Sequence, residues 1–144
     1  MPPDNRSSVL GPRFLVEMFI NFLDLNAEVF RKSSYKDLEI YQLAFDLCIK
    51  VHHASLKLPN FELYEQGSQI RRSSKGVKDA IVEGYGRRKY KQDYIKFLTY
   101  AIASCDETTN HILAIKTLYP DLKEFANFED EYDKLGRKIN NYLQ

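Results

Sequence analysis

Tryptophan is absent from this sequence, and cysteine nearly so, with Cys48 and Cys105 as the only two thiols. The pair stands far apart, without CxxC or Cys–His finger spacing, so neither a disulfide framework nor a zinc finger is encoded. Each falls in an apolar-periodic segment, where a free thiol behaves as a small hydrophobe, as expected in a reducing cytoplasm. Glycine and proline are sparse, at six and five residues, which excludes collagen, low-complexity disorder and a turn-rich β-sandwich. Long hydrophobic runs are missing too. The most apolar N-terminal stretch, Phe14 to Leu25, contains Glu17 and Asp24 and falls far short of the ~20 residues that span a bilayer. It also lacks a cationic flank and a small-residue cleavage site. The expectation is a soluble, cytoplasmic protein without membrane contact.

What is present is an ordinary globular balance, 44% apolar, 13% aromatic and 28% charged, and a length that fits one domain. After a proline-rich start (Met1 to Pro12), Phe14 to Phe30 carries Leu15, Met18, Phe19, Phe22 and Phe30 in a helix-like but irregular pattern. Residues 1–34 read as an N-terminal extension, partly flexible, with room for one extra helix. Ser34 with Asp37 resembles a capping signal, and Ile40, Ala44, Leu47, Val51, Ala54 and Leu58 then fall on one helical stripe. A second segment, from about Glu62 to Glu83, repeats these steps with Ile70, Ser74, Val77, Ile81 and Gly84. Its small residues (Ser73, Ser74, Gly76, Ala80, Gly84) predict a tightly packed inner helix, with Gly76 at a close contact. Gly84 and Gly86 are read as left-handed positions that end this helix. The third segment, Lys91 to Leu118, holds Tyr94, Leu98, Ala101, Cys105, Thr108, Ile112 and Ile115 in register. Asp121 with Glu124 suggests a further cap, before a last helix with Phe125, Phe128, Tyr132, Leu135, Ile139 and Tyr142. Long helices with short connections favour antiparallel neighbours. The expected fold is all-α, an antiparallel up-down four-helix bundle over residues 35–144.

The net charge of +1 hides a polarised chain. Between Arg71 and Lys96, nine cations oppose three carboxylates, a surplus of +6 that leaves −5 for the remainder. The acidic share gathers late, at Asp121, Glu124, Glu129, Asp130, Glu131 and Asp133. In Tyr85-Gly86-Arg87-Arg88-Lys89-Tyr90-Lys91, tyrosines alternate with cations, a pattern suited to neutralising phosphates and stacking on unpaired bases. A solvated charged loop is the plain alternative. A positive end and a negative end can also meet head to tail in a ring of identical subunits.

Candidate chemistry is thin. Arg72 and Glu83 share a helical face but lie ~16 Å apart along it, whereas Arg87 can reach Glu83 at i+4 if the helix continues past Gly84. Cys48 and His52 stand at i, i+4, with His53 and His111 as further imidazoles, but no acidic or cysteine cluster completes a metal set. Gly84-Tyr85-Gly86 is too short for a dinucleotide fingerprint. No serine has the context of an activated nucleophile, and the paired ExxH carboxylates of di-iron bundles are missing. No catalytic residue, cofactor, metal or small-molecule substrate is expected.

The blocks Asp37-Leu38-Glu39-Ile40-Tyr41-Gln42-Leu43-Ala44, Glu62-x-Tyr64, Gln69-Ile70-Arg71-Arg72, Glu83-Gly84-x-Gly86-Arg87 and Phe97-Leu98 resemble the four-helix bundle proteins encoded in intervening sequences of bacterial 23S rRNA genes. The resemblance runs from Tyr35 to Leu118 and more loosely through the last helix. It implies an antiparallel bundle that assembles into a ring-like homopentamer without enzymatic activity. Related accessory proteins of diversity-generating retroelements bind nucleic acid and a reverse transcriptase through such a ring. The motif positions map onto Gln69, Arg71, Arg72, Glu83, Gly84, Gly86 and Arg87, with Gln69, Glu83, Gly84 and Gly86 as motif or interface positions. The chain departs from the family's Ser-Ile-Pro-x-Asn-Ile-Ala, reading Lys75-Gly76-Val77-Lys78-Asp79-Ala80-Ile81-Val82, and has Tyr41 where tryptophan is common. Residues and resemblance together lead to one expectation: a homo-oligomer binding RNA or a nucleoprotein through Arg71, Arg72, Arg87, Arg88, Lys89 and Lys91, with Tyr85 and Tyr90 as stacking rings. The alternative is a purely structural oligomerisation module.

Overall fold

The computed structural model of the chain describes residues 11–20 and 34–144. The chain divides into two compact units, Met1–Lys32 and Ser33–Gln144. In the first unit, residues 11–20 are helical (α1) and all exposed, with Phe14, Leu15, Val16, Met18, Phe19 and Ile20 turned to solvent. Gly11 and Pro12, expected to be loose, already belong to this helix. The rest of the expected loose start, through Leu10, and the second half of the expected helix, from Asn21 to Phe30, lie outside the described residues.

The second unit is built from α2 (Glu39–Ser55), α3 (Gln66–Gly86), α4 (Lys91–Leu118) and α5 (Phe128–Asn141), with single 3-10 turns at Tyr35–Asp37 and Lys123–Phe125. No strand occurs among the described residues. Side-chain meetings fix the directions. Gly84 faces Phe97 and Gly76 faces Ser104, while Thr108 donates to Ser73 at 2.9 Å. As positions fall along α3 they rise along α4, so the two run antiparallel. The same reversal relates α2 to α3, through Arg71 on Ser55 and Ser74 on Cys48, and α4 to α5, through Lys116 on Glu129 and Gly136 against Cys105. Lys138 to Glu39 at one end and Lys57 to Glu124 at the other close α5 onto α2.

The core is the meeting of the four stripes. Ile40, Ala44, Leu47, Val51, Ala54 and Leu58 are buried, as are Ile70, Val77 and Ile81 of α3. Leu98, Ala101, Cys105, Thr108, Ile112 and Ile115 join them from α4, and Phe125, Phe128, Tyr132, Leu135, Ile139 and Tyr142 from the last segment. Each large aliphatic side chain so buried contributes roughly 1.5–3 kcal/mol. At mid-height the layer turns polar. Ser73, Ser74 and Thr108 are buried there, as is Tyr132, and burial pushes the Tyr132 hydroxyl's pKa upward.

Helix starts differ from the sequence expectation where tertiary contacts intervene. Ser34 accepts from the Lys36 amide at 3.2 Å and so caps the 3-10 turn, not α2. Leu38, extended and only 2% exposed, breaks the chain to enter the core before α2 begins. α3 starts at Gln66, not Glu62, because the 6% exposed Glu62 folds back beneath it. Its carboxylate accepts from the Gln66 amide at 3.1 Å and from the Tyr119 hydroxyl at 2.6 Å. Asp121 caps nothing: the 3-10 turn directs Phe125 inward onto Phe128, and α5 starts only there.

The glycines also require correction. No residue among those described has positive φ, so Gly84 and Gly86 do not end α3 in a left-handed conformation; both lie within it. Gly84 is a packing position, where a Cβ would come 3.3 Å from the Phe97 Cβ. Gly76 is the close contact expected of it, 3.1 Å from the Ser104 Oγ on the same measure. Around Gly86 nothing lies within 4 Å. Gly84→Val should therefore push α4 away and cost roughly 1–3 kcal/mol. Gly86→Ala should gain a few tenths to about 1 kcal/mol from helix propensity and reduced freedom of the unfolded chain. Urea unfolding of the two variants should show shifts of opposite sign.

Candidate nucleic-acid interface

The expected basic run falls on the junction of α3 and α4. α3 continues through Gly86, and the connection to Lys91 takes only Arg87 to Tyr90. Hydrogen bonds tighten it, with the Arg87 amide on the Glu83 carbonyl at 3.1 Å, Arg88 on Tyr85 at 3.2 Å and Tyr90 on Arg87 at 2.9 Å. So short a connection displays its cations together at one end of the bundle.

Two arginines are held on rings. The Arg88 guanidinium lies 4.0 Å from the Tyr85 ring centre and donates to the Tyr85 carbonyl at 2.9 Å. Arg87 lies 5.1 Å over Phe97 and reaches the Asp93 carboxylate at 3.4 Å. Its partner is thus Asp93, not Glu83, although α3 does continue past Gly84. One turn further along α4, Phe97 meets Tyr100 edge to face at 5.7 Å, and Lys96 stands 5.9 Å from the Tyr100 ring. Cations placed over ring faces gain about 0.5–1 kcal/mol at exposed sites and leave their outer sides in water. Lys89 and Lys91 are exposed and form no ion pair with a described residue. Tyr90, which caps α4, is 70% exposed.

Two expected contact residues serve other purposes. Tyr85 is only 7% exposed and packs edge-on to Tyr35 at 6.5 Å, so its ring supports Arg88 from within and has no face for a base. Arg71 is half-buried and turned into the bundle, donating to the Ser55 hydroxyl at 2.8 Å and the Leu63 carbonyl at 2.6 Å. Ser55 in turn donates to the His52 carbonyl at 2.7 Å. Arg71 therefore stitches the α2–α3 loop to both helices. Arg72 and Gln69 are exposed, but Arg72 precedes Arg87 by fifteen residues, ~22 Å along α3. Glu83 and Gly86 are exposed near the turn, whereas Gly84 is buried under α4. Arg87, Arg88, Lys89, Tyr90 and Lys91 thus converge, while Arg71 and Arg72 lie at the opposite end. Phe97 and Tyr100 belong to the cationic surface and were missed. Their signal was the aromatic spacing Tyr90, Tyr94, Phe97, Tyr100, which returns along α4 beside the turn.

At that opposite end the acidic residues are largely consumed in pairs. Lys57 holds Glu124 at 2.6 Å, Lys116 holds Glu129 at 3.2 Å and Lys134 holds Asp130 at 2.7 Å. Burial pushes the Cys105 thiol up to about 12, which removes it as a nucleophile at neutral pH. No group of three or more His, Cys, Asp or Glu side chains that could hold a metal occurs among the described residues. His111 Nδ1 instead lies 3.2 Å from the Gln66 amide oxygen, and His52 packs edge-on against His53. No described helix is long and apolar enough to cross a membrane.

The geometry defines a class: four-helix bundles that carry a ring-supported cationic turn at one end. Within it, residues 36–141 match the model of the 23S rRNA-intervening sequence protein family, and the chain belongs to that family. A comparison with curated proteins gives no match.

The two arginines of the Arg71-Arg72 pair should separate experimentally. Arg71→Ala strands the Ser55 and Leu63 acceptors and should cost roughly 1.5–3 kcal/mol. Arg72→Ala should stay within about 0.5 kcal/mol of the parent. Thermal and urea unfolding measure both.

Proposed function

We propose that the chain is a non-catalytic, homo-oligomeric bundle that binds RNA, alone or within a nucleoprotein, through the α3–α4 turn. The observation that carries this reading is the convergence of Arg87, Arg88, Lys89 and Lys91 on one short connection, with Asp93 as the only carboxylate among the described residues paired to any of them. Cations that are already neutralised internally gain little from phosphate. Of the turn's cations only Arg87 is so paired among the described residues, whereas the acidic end of the bundle has largely satisfied itself. Membership in a family named for an rRNA intervening sequence is consistent with an RNA partner. Resemblance to ring-forming relatives supports a homopentamer, which would repeat the turn around an axis and multiply a weak contact by avidity. The reading puts the protein in the cytoplasm, which suits its two buried, unpaired cysteines. Absence of catalysis is part of the proposal.

A triple variant tests it: Arg87→Gln, Arg88→Gln and Lys89→Gln together. Removing three phosphate contacts should weaken binding to unrelated RNAs alike, and should flatten the salt slope by about two for a single strand. Fluorescence anisotropy between ~50 and ~200 mM salt reads this. Unchanged affinity in the folded variant removes the turn from consideration.

A second reading, a purely structural oligomerisation module, is favoured by one feature of α3. Arg72, Lys75, Asp79 and Glu83 are all exposed and follow one another at helical spacing, positive first and negative after. A second copy laid antiparallel along this face would set Arg72 against Glu83. On that reading Arg72→Glu dissociates the oligomer and Arg72→Glu with Glu83→Arg restores it, as followed by light scattering. An oligomer untouched by Arg72→Glu rules this face out.

A further inference from the structure

Tyr90 differs from the three rings of this end that carry a cation. Tyr85, Phe97 and Tyr100 each have a cation over the face. Tyr90 has none among the described residues and exposes 70% of its surface. Its backbone is nonetheless fixed, with the amide bonded to the Arg87 carbonyl at 2.9 Å and the carbonyl accepting from the Tyr94 amide at 3.0 Å. Lys89 and Lys91 flank it, both exposed. The result is a largely uncovered ring on a hydrogen-bonded backbone, between two exposed lysines.

We propose that the RNA bound at this turn is unpaired, and that Tyr90 is the platform on which one of its bases stacks. This rests on the nucleic-acid reading above and adds to it the strandedness of the ligand. Within a duplex, base faces are covered by neighbouring pairs, so an isolated ring outside the grooves has nothing to stack on. In a single strand every base has a free face, and the lysines on either side of Tyr90 reach the phosphates flanking the stacked nucleotide. Arg87 on Phe97 and Arg88 on Tyr85 then form a stiff cationic wall beside the platform, its charges fixed before the strand arrives. The preference is for strandedness, with little for sequence, because stacking does not read base edges.

The test uses the full chain, an unstructured oligoribonucleotide and an RNA duplex containing the same sequence, with anisotropy as the readout. The parent should bind the single strand more tightly. Tyr90→Ala should lower single-strand affinity by roughly 5- to 150-fold, the ~1–3 kcal/mol of one stacked base. It should leave the duplex unaffected, while Tyr90→Phe keeps the parent's affinity for both. A fluorescent adenine analogue in the oligonucleotide should be quenched by the parent and by Tyr90→Phe, but not by Tyr90→Ala. Melting temperatures of the variants verify that the fold is kept. If Tyr90→Ala leaves both affinities unchanged while the triple glutamine variant weakens them, the platform is disproved and the cationic reading survives. Equal loss on single strand and duplex also overturns the stacking role. If the parent binds neither RNA at low salt, the nucleic-acid reading falls, and the platform falls with it.

Discussion

Because Gly76 and Gly84 carry no side chains, α3 lies against α4 with Ser104 and Phe97 at 3.1 and 3.3 Å from where their Cβ atoms would stand. Glycine inside a helix costs roughly 1 kcal/mol against alanine, so two such positions on one face need compensation from the packing they permit. That packing is the most extensive contact in the bundle. It leaves room for the buried Ser73–Thr108 hydrogen bond, and it sets how near the first turns of α4 come to the last turns of α3. The loop between them has only four residues, so its form follows from this spacing.

The two ends of the bundle use charge differently. At the α2–α3 loop, Glu62 and Arg71 are spent on backbone and hydroxyl partners, which explains why a carboxylate and a guanidinium sit partly or wholly inside a small protein. A buried charge is tolerable when its hydrogen-bonding capacity is met, and both groups convert an irregular loop into a fixed connection. At the α3–α4 turn the cations face outward, and their internal contacts are mostly with rings. A cation on an aromatic face keeps its formal charge, whereas a cation paired with a carboxylate is neutralised. The turn is therefore stiffened without losing its positive field, and the net charge of the chain conceals this distinction entirely.

Hydrophobic spacing carried most of the fold. The α2, α4 and α5 stripes are buried essentially as their periodicity requires, since a one-sided apolar helix has a single way to hide that side. Where local signals competed with tertiary demands, they were displaced. Ser34 caps the 3-10 turn and not α2, and Asp121 caps nothing, because Leu38 and Phe125 enter the core next to them. The site was legible in its cations and only half legible in its aromatics. Tyr85 and Tyr90 look alike in the sequence, yet one lies under Arg88 and the other in solvent, because burial depends on which partner helix passes by. Arg71 and Arg72 are adjacent, but a helix turns about 100° between successive residues, so one points at the loop and the other at water. Phe97 and Tyr100 follow Tyr90 and Tyr94 at helical spacing, but the seat that Phe97 gives Arg87 exists only once α4 doubles back along α3.

Phe97 links the two themes. Its Cβ rests where Gly84 lacks one, and its ring carries the Arg87 guanidinium. A side chain at Gly84 would displace Phe97, and with it the surface on which Arg87 is laid. The Glu-Gly-x-Gly-Arg block thus contains both halves of one device: a glycine that admits the neighbouring helix, and, three residues on, an arginine seated on what that helix brings. Close packing at the end of α3 and presentation of charge at the turn are consequences of the same missing side chain. Substitutions that loosen the core there should therefore also disorganise the cationic surface, even when every charge is retained.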